Sequence, residues 1–406
     1  MSLVLTNATV IDGTGADPVS GAVSIDGSQI AGVGSVAAGR DSDVVDVAGL
    51  VVLPGLIDLH THMGIISTGS PEALSPAMTA AHLFRNAELC LLSGHTTARE
   101  VAGADGGLKQ AIDSGLVPGP RLFPSGPMLC QSGGHGDLAP PFFSDHHHHD
   151  PGVPGLAQAS VVCDGPHEVR IAARNAFRRG ATQIKMCVSG GVVSLTDSLE
   201  DTQFTVEELR AAVLEAQARN TYVTAHAHNA RAILSGIEAG LECFEHGSFL
   251  DERTVAAMAS AGVALVPTLS VLTLMTTRWR EWAVPVECLP RLAEVRDATA
   301  GSLKMAFDAG VRIGSGTDLL GPDQNQRGLE LALKARTLGA MQAIVSATSV
   351  SASILRRPDL GVLAVGNTAD VIAVDFDPLT EPEDWQDPDR VRLVIKDGVV
   401  VKDTRS

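Results

Sequence analysis

Eight short apolar runs, alternating with longer segments of helical periodicity, do most to limit what this chain can fold into. They are "GLIDLHTH" from Gly55, "HTTARE" from His95, "RLFPSG" from Arg121, "TQIKMCVSG" from Thr182, "TYVTAHAH" from Thr221, "ECFEHG" from Glu242, "ALVPTL" from Ala264 and "VRIGSGTD" from Val311. Strand and helix taking turns implies βα units and a parallel sheet, and eight such units imply an α/β chain closed as a (β/α)8 TIM barrel. The intervening segments support this. In "TVEELRAAVLEAQARN" the apolar positions Val206, Leu209, Ala212 and Val213 follow helical spacing, with Thr205 as N-cap and Glu208 placed for a capping box. Chemistry in such a barrel sits at the C-terminal strand ends, which is where the histidines and acids of the eight runs fall.

The two ends of the chain read differently. "LVLTNATVID" and "DVVDVAGLVVLPG" near the start, and "TADVIAVDF" and "RVRLVIKDGVVV" near the end, are short strands punctuated by Gly, Asn and Asp turns. Short strands need a partner sheet to bury a face. The two ends are therefore expected to pair into one small β-sandwich, residues 1–54 with 358–406, outside a barrel of residues 55–357.

A chain of 406 residues with 45% hydrophobic and 19% charged content can bury a large core. Its net charge of -17 argues against nucleic acid and anionic membrane as partners, since both reward a basic face, and favours a small-molecule substrate. Six cysteines without CxxC spacing indicate neither a disulfide framework nor a four-cysteine zinc site, and fit a reducing cytoplasm. No signal-peptide pattern opens the chain and no run of about 18 apolar residues occurs.

Lys185 is the anomaly. It sits within the apolar "QIKMCV", where a buried ammonium would cost several kcal/mol unless paired. His60 and His62, two apart at a strand end, point to one face, and His226, His246 and Asp318 take the corresponding places in later units. Five nitrogen and carboxylate donors converging on one barrel mouth suit Zn2+ or a similar first-row ion. A neutral lysine amine can add carbon dioxide, and the resulting carbamate has two oxygens able to span two metals. Neighbouring positive charge would depress the lysine pKa and supply that neutral amine. The competing reading is an ion pair with a buried carboxylate such as Asp318. Two divalent ions balanced by carbamate, Asp318 and hydroxide leave net positive charge, which favours a substrate bearing a carboxylate.

"PGLIDLHTHMG", "QIKMCVSGG", "HAHN", "EHGSF" and "GSGTD" together resemble the amidohydrolase superfamily. Within it the likeness is to the binuclear metal-dependent carboxypeptidase and Xaa-Pro dipeptidase-like branch, which is related to ochratoxin-hydrolysing amidases. The resemblance extends from "TNATVIDGTG" to "GNTADVIAVDFDPL". It implies that His60, His62 and Asp318 bind one metal and His226 and His246 the other, with carboxylated Lys185 between them. It also implies Asp318 as the general base acting on a metal-bridging hydroxide, and homo-oligomeric assembly. "SGGHGD" is similar to a segment of the same branch, in which His135 would contact the substrate carbonyl oxygen. The implied reaction is hydrolysis of the amide bond to a C-terminal amino acid in dipeptides or N-acyl amino acids. Opening of a lactone, cyclic amide or imidazolone ring is the alternative within the superfamily. A binding or scaffold protein built on a degenerate barrel would be expected to have lost ligands, and this chain keeps all six.

Three further features carry less. His228 shares a face with His226 and either contacts the substrate carboxylate, serves as a spare ligand or is a satisfied polar residue. Arg231 reaches the substrate carboxylate only if the following loop curls back, and is otherwise an exposed helix residue. Arg99 and Glu100 of "TTARE" are read as a structural ion pair, and "DHHHHD" at 145–150 as a solvated lid beside the apolar "APPFF".

Overall fold

The computed structural model describes residues 2–36, 39, 42–66, 74–139, 152–153, 155–194, 196–321 and 323–405. The histidine tract 145–150 and the apolar run 140–143 lie outside these residues.

Both chain ends enter one eight-stranded sheet. Its order is Val399–Asp403, Val391–Lys396, Val371–Val374, Val51–Pro54, Ser2–Val10, Val19–Asp26, Gln29–Gly34, with Asp43–Asp46 parallel to Ser2–Val10. The decisive pairing is antiparallel, Val51 opposite Val374 and Leu53 opposite Ile372, and it joins the two ends of the sequence. The Ile30 N–H donates to the Asn367 carbonyl at 2.9 Å, so the sheet curls back on itself around Leu5, Val23, Ile25, Val371 and Leu393. Its other face sets Leu53, Ile372 and Val374 against Leu331 and Ile344 of the helices Gly328–Leu338 and Ala340–Val345. Each such fully buried Leu or Ile contributes about 1.5–3 kcal/mol. Arg121 fastens this sheet to the central part of the chain, donating to Asp370 at 2.6 Å and to Asp397.

All eight expected runs contain a strand. Leu56–Thr61, His95–Glu100 and Arg121–Pro124 form a three-stranded parallel sheet. Ile184–Cys187, Val223–Asn229, Cys243–Phe249, Ala264–Val266 and Arg312–Ile313 belong to a seven-stranded parallel sheet, which is completed by Ser160–Val162 and Met128–Cys130. These last two short strands have no counterpart among the eight runs. Hydrogen bonds outside the ladders link the two sheets at both ends. Thr182 N–H donates to the Pro124 carbonyl at 2.7 Å, Leu59 N–H to the Ser315 carbonyl at 2.7 Å, and Asp318 N–H to the His60 carbonyl at 2.8 Å.

The helix Val206–Gln217 carries the expected capping box of Thr205 and Glu208. Its Leu209, Ala212 and Ala216 pack with Ile184, Met186, Val223 and Ala225, the strand residues that alternate with the polar ones. That alternation sends the polar set, Lys185, Thr224, His226 and Glu245, to the opposite face. The six cysteines are free and buried. Among the described residues no helix is long and apolar enough to cross a membrane.

Candidate active site

His60 and His62 end the first strand of the three-stranded sheet, and Asp318 reaches them from the segment after Arg312–Ile313. Asp58 fixes that junction. Its carboxylate accepts from the backbone N–H groups of His60 and Thr317, at 3.0 Å each, and is paired with the buried Arg327.

The hydrogen bonds of the two imidazoles decide what the site can hold. His60 Nδ1 lies 2.9 Å from Glu245 Oε2 and His62 Nδ1 lies 2.9 Å from the Ala102 carbonyl; both partners only accept, so both Nδ1 atoms carry the proton. In the neutral rings each Nε2 is then a lone pair. Yet the two Nε2 atoms are 3.1 Å apart, with Asp318 Oδ1 3.4 Å from the first and 3.1 Å from the second. Three lone-pair atoms facing one another repel unless a cation or a proton stands between them, and two nitrogens with one carboxylate oxygen are a suitable donor set for a divalent ion. These three are the group able to hold a metal ion among the described residues. Burial draws the Asp318 carboxyl upward, but His60 and His62 beside it hold it well below the usual carboxylate range.

The other three expected ligands lie against this group. His226 Nε2 is 3.1 Å from the Gly190 carbonyl, which again only accepts, and this leaves Nδ1 as the free lone pair. His246 is anchored through Nδ1 to Thr268 Oγ1 at 2.7 Å. The His226 and His246 rings are 4.6 Å apart, and those of His246 and His60 5.0 Å. Burial, with neighbouring histidines, pushes both His226 and His246 well below the ordinary imidazole range, toward the neutral ring that a metal requires. Lys185 is 2% exposed, and among the described residues no carboxylate lies within ion-pair distance of its amine; the alternative pairing with Asp318 is not formed. Burial lowers its pKa against the opposing pull of Glu245.

Local backbone shape is needed to bring His246 in. It stands opposite Ala227, whose side chain packs into the hydrophobic core, while its neighbour Glu245 stands opposite His226. Ordinary strand alternation would turn His246 away. Its φ of 69°, at a place where the register shifts, turns the ring toward His226 instead. Asp318 has φ 58°. Non-glycine residues in this region cost roughly 1–3 kcal/mol and persist where surrounding structure enforces them.

His135 stacks on His226 with ring centroids 4.2 Å apart. A Cβ at Gly191 would lie 2.2 Å from the His135 ring, so the second glycine of "SGG" is what leaves the imidazole its place. Among the described residues the buried Nδ1 of His135 has no hydrogen-bond partner. His228 is buried, bonded through Nδ1 to Ser248 Oγ at 3.0 Å and stacked on His246, and burial lowers its pKa to about 3.

One expectation changes, and Arg231 follows the second of the two readings open to it. Arg99 does not pair with Glu100. Adjacent strand residues face opposite sides, so Arg99 meets Glu245 at 2.6 Å and Glu100 accepts from Met63 N–H and Thr61 Oγ1. Arg231 is the exposed helix residue, donating to Thr202 Oγ1 at 2.8 Å and the Glu200 carbonyl at 2.7 Å. The cation beside the Gly190-Gly191 turn is Arg291, which donates to the Gly191 and Ser194 carbonyls at 2.8 and 2.9 Å. Sequence reasoning missed Arg291, which sits on a helix with no motif around it. It also missed Glu245, although an acid adjoining a candidate ligand in "FEHG" is a readable signal for a group that orients a histidine.

The pattern of the amidohydrolase family matches residues 51–401. Ochratoxinase of Aspergillus niger is 34% identical over 365 residues, covering 87% of this chain and 76% of that protein. The crystal structure of a prolidase complexed with N-methylphosphonate-L-proline is 35% identical, with a TM-score of 0.92 over 99% of this chain and 100% of that one. A Xaa-Pro dipeptidase with bound methionine in the active site is 31% identical, with a TM-score of 0.89 over 99% of this chain and 100% of that one. With the histidine and aspartate cluster at its strand ends and a family match over most of its length, the chain belongs to the amidohydrolase family.

Proposed function

We propose that this chain is a binuclear zinc amidohydrolase, built on a (β/α)8 barrel, that cleaves the amide bond to a C-terminal amino acid in dipeptides or N-acyl amino acids. The observation that carries the reading is the convergence of the His60 and His62 Nε2 lone pairs and Asp318 Oδ1, with the opposite ring nitrogens tied to fixed acceptors. The ochratoxinase and prolidase relatives support amide hydrolysis as the reaction.

In this reading His60, His62 and Asp318 would hold one ion and His226 and His246 the other, with N-carboxylated Lys185 as a ligand to the pair. Such ions lower the pKa of water toward about 7 and polarise a carbonyl. The protein's own groups do the rest. Glu245 keeps His60 in the tautomer that presents Nε2, as the Gly190 carbonyl keeps His226 presenting Nδ1. His135, its ring unanchored at Nδ1 above His226, donates to the substrate carbonyl oxygen as negative charge gathers there. Asp318, held ionised by the imidazoles beside it, takes the proton from the attacking water and delivers it to the leaving amine. His228 and the Arg291 guanidinium supply polar and positive groups for the substrate carboxylate, while Arg231, exposed on its helix, is held by Thr202 and the Glu200 carbonyl. The six free, buried cysteines are consistent with a reducing cytoplasm, and homo-oligomeric assembly is part of the same proposal.

The test is release of free amino acid by zinc-reconstituted protein from X-Pro, X-Leu, X-Phe, X-Arg and N-acyl amino acids, with apoprotein as control. Metal-dependent release from any member supports the reading. Two zinc ions per chain with silence across the panel rejects it, in favour of lactone or cyclic-amide ring opening.

A further inference from the structure

At the opposite end of the strands from the histidines is a cavity of about 400 Å3, within the range of small-molecule pockets. Tyr222 lines it and stands six residues before His228, which places it roughly 20 Å away along the strand. Three aromatic rings, Phe123, Phe177 and Tyr222, line the cavity together with two guanidinium groups. Arg219 lies over Phe177 with its central carbon 4.6 Å from the ring centroid, and Arg356 over Tyr222 at 5.4 Å.

The charge here runs against the rest of the molecule. The chain as a whole is -17, but Arg219 shares the single carboxylate of Glu215 with Arg170 and Arg174, three cations to one anion. Arg356 has Glu242 as its partner at 2.6 Å. Two of the lining residues, Asn220 at φ 56° and Arg356 at φ 59°, hold left-handed backbone that costs a residue as bulky as arginine. The Arg356 Nη1 donates to the Asn220 carbonyl at 2.9 Å, so the strained pair fixes this guanidinium against the cavity wall.

We propose that this cavity is a second binding site, separate from the histidine cluster, for a small aromatic carboxylate. The ligand ring lies among Phe123, Phe177 and Tyr222, where contacts between rings are favourable, and its carboxylate meets the surplus positive charge at Arg219, Arg356 being already paired with Glu242. Both features are needed together. Rings alone would suit any apolar molecule, and guanidinium groups alone any anion.

Tyr222 is the single tyrosine of the chain, so protein labelled with 3-fluorotyrosine gives one fluorine resonance, inside the cavity. Its hydroxyl accepts from Arg99, which pairs with Glu245 and so with His60, and a ligand at the metal centre could also disturb it. The experiment therefore titrates phenylacetate into zinc-loaded, labelled enzyme and into Ala181→Phe, which fills the cavity without touching a charge. The expected result is a saturable shift of the resonance in the parent, abolished in Ala181→Phe and weakened at least about tenfold in Arg219→Gln, with phenylacetamide and inorganic phosphate each at least about tenfold weaker than phenylacetate. No saturable shift by millimolar phenylacetate overturns the proposal. So does a shift that persists in Ala181→Phe, which would be relayed from the metal centre, or phosphate binding as well as the aromatic acid.

Discussion

Removing Arg99 tests whether a buried ion pair, rather than the ligands alone, governs the metal site. Arg99 and Glu245 are both fully buried, with Nη2 2.6 Å from Oε1, and the second carboxylate oxygen is 2.9 Å from His60 Nδ1. Burial would raise the Glu245 carboxyl, yet Arg99 first, then Lys185 and His60, hold it at about 2. Arg99→Met strands that carboxylate, which costs about 3–5 kcal/mol. Unfolding entropy of about 2.1 cal/mol/K per residue over 406 residues converts a loss of about 4 kcal/mol into a fall of about 5 °C in Tm. Metal content is expected to fall as well, because Arg99 is among the charges that depress the Lys185 amine, and an uncompensated Glu245 pulls it back toward the ammonium. The double variant Arg99→Met, Glu245→Met separates the two effects. It replaces the pair with apolar side chains and recovers most of the stability, but leaves His60 Nδ1 without its acceptor, so metal affinity stays about 10- to 100-fold low. Calorimetric melting and metal content by mass spectrometry read both. An Arg99→Met protein melting within about a degree of the parent would refute the stability argument. A double variant with parental metal affinity would show that Glu245 does not orient His60.

Four other outcomes follow from the same geometry. Lys185→Ala should lose metal and activity and recover part of both with added short carboxylates; normal metal content and rate would remove the carbamate. Asp318→Asn should lower kcat far more than it raises KM, and equal effects would exclude it as the base. His135→Gln should lower kcat/KM by about 10²–10³, with metal content unchanged, if His135 meets the developing charge on oxygen. Glu330, buried with Oε1 3.6 Å from Lys334 Nζ, has its carboxyl pushed up to about 7 by burial against the opposing pull of Lys334, compared with 4.5 in the unfolded chain. The folded protein therefore keeps a proton that the unfolded chain has released, so its contribution to stability is present below pH 4.5 and lost as pH rises through 7. Lys334, pushed down to about 8 by burial, acts in the opposite sense only above that pH. Tm measured from pH 5 to 7 should flatten in Glu330→Gln, and an unchanged slope would remove Glu330 as its source.

The strand and helix alternation, the pairing of the two chain ends and the residue types of the candidate ligands are all legible in the sequence. Each depends on periodicity or on chemistry confined to a few consecutive residues. "DLHTH" presents two imidazoles on one face because alternation in a strand is local, and "QIKMCV" flags Lys185 because a single polar residue in an apolar run is visible without coordinates. The capping box at Thr205 is local in the same way.

Partners across strands are another matter. Arg99 beside Glu100 reads as a pair, but alternation separates neighbours and register brings together residues 146 apart, so Arg99 meets Glu245. His246 adjoins Glu245 and would face away from it in a regular strand; only the left-handed backbone and the shifted register turn it inward. Whether Arg231 or Arg291 stands by the Gly190-Gly191 turn depends on how the Leu289–Asp308 helix packs, which no motif encodes. Which residues can serve was written in the chain, because side-chain chemistry and strand period belong to single residues and their neighbours. Which ring nitrogen is free, and which charge stands behind each ligand, was decided by contacts between distant strands, whose register is a property of the whole packed fold.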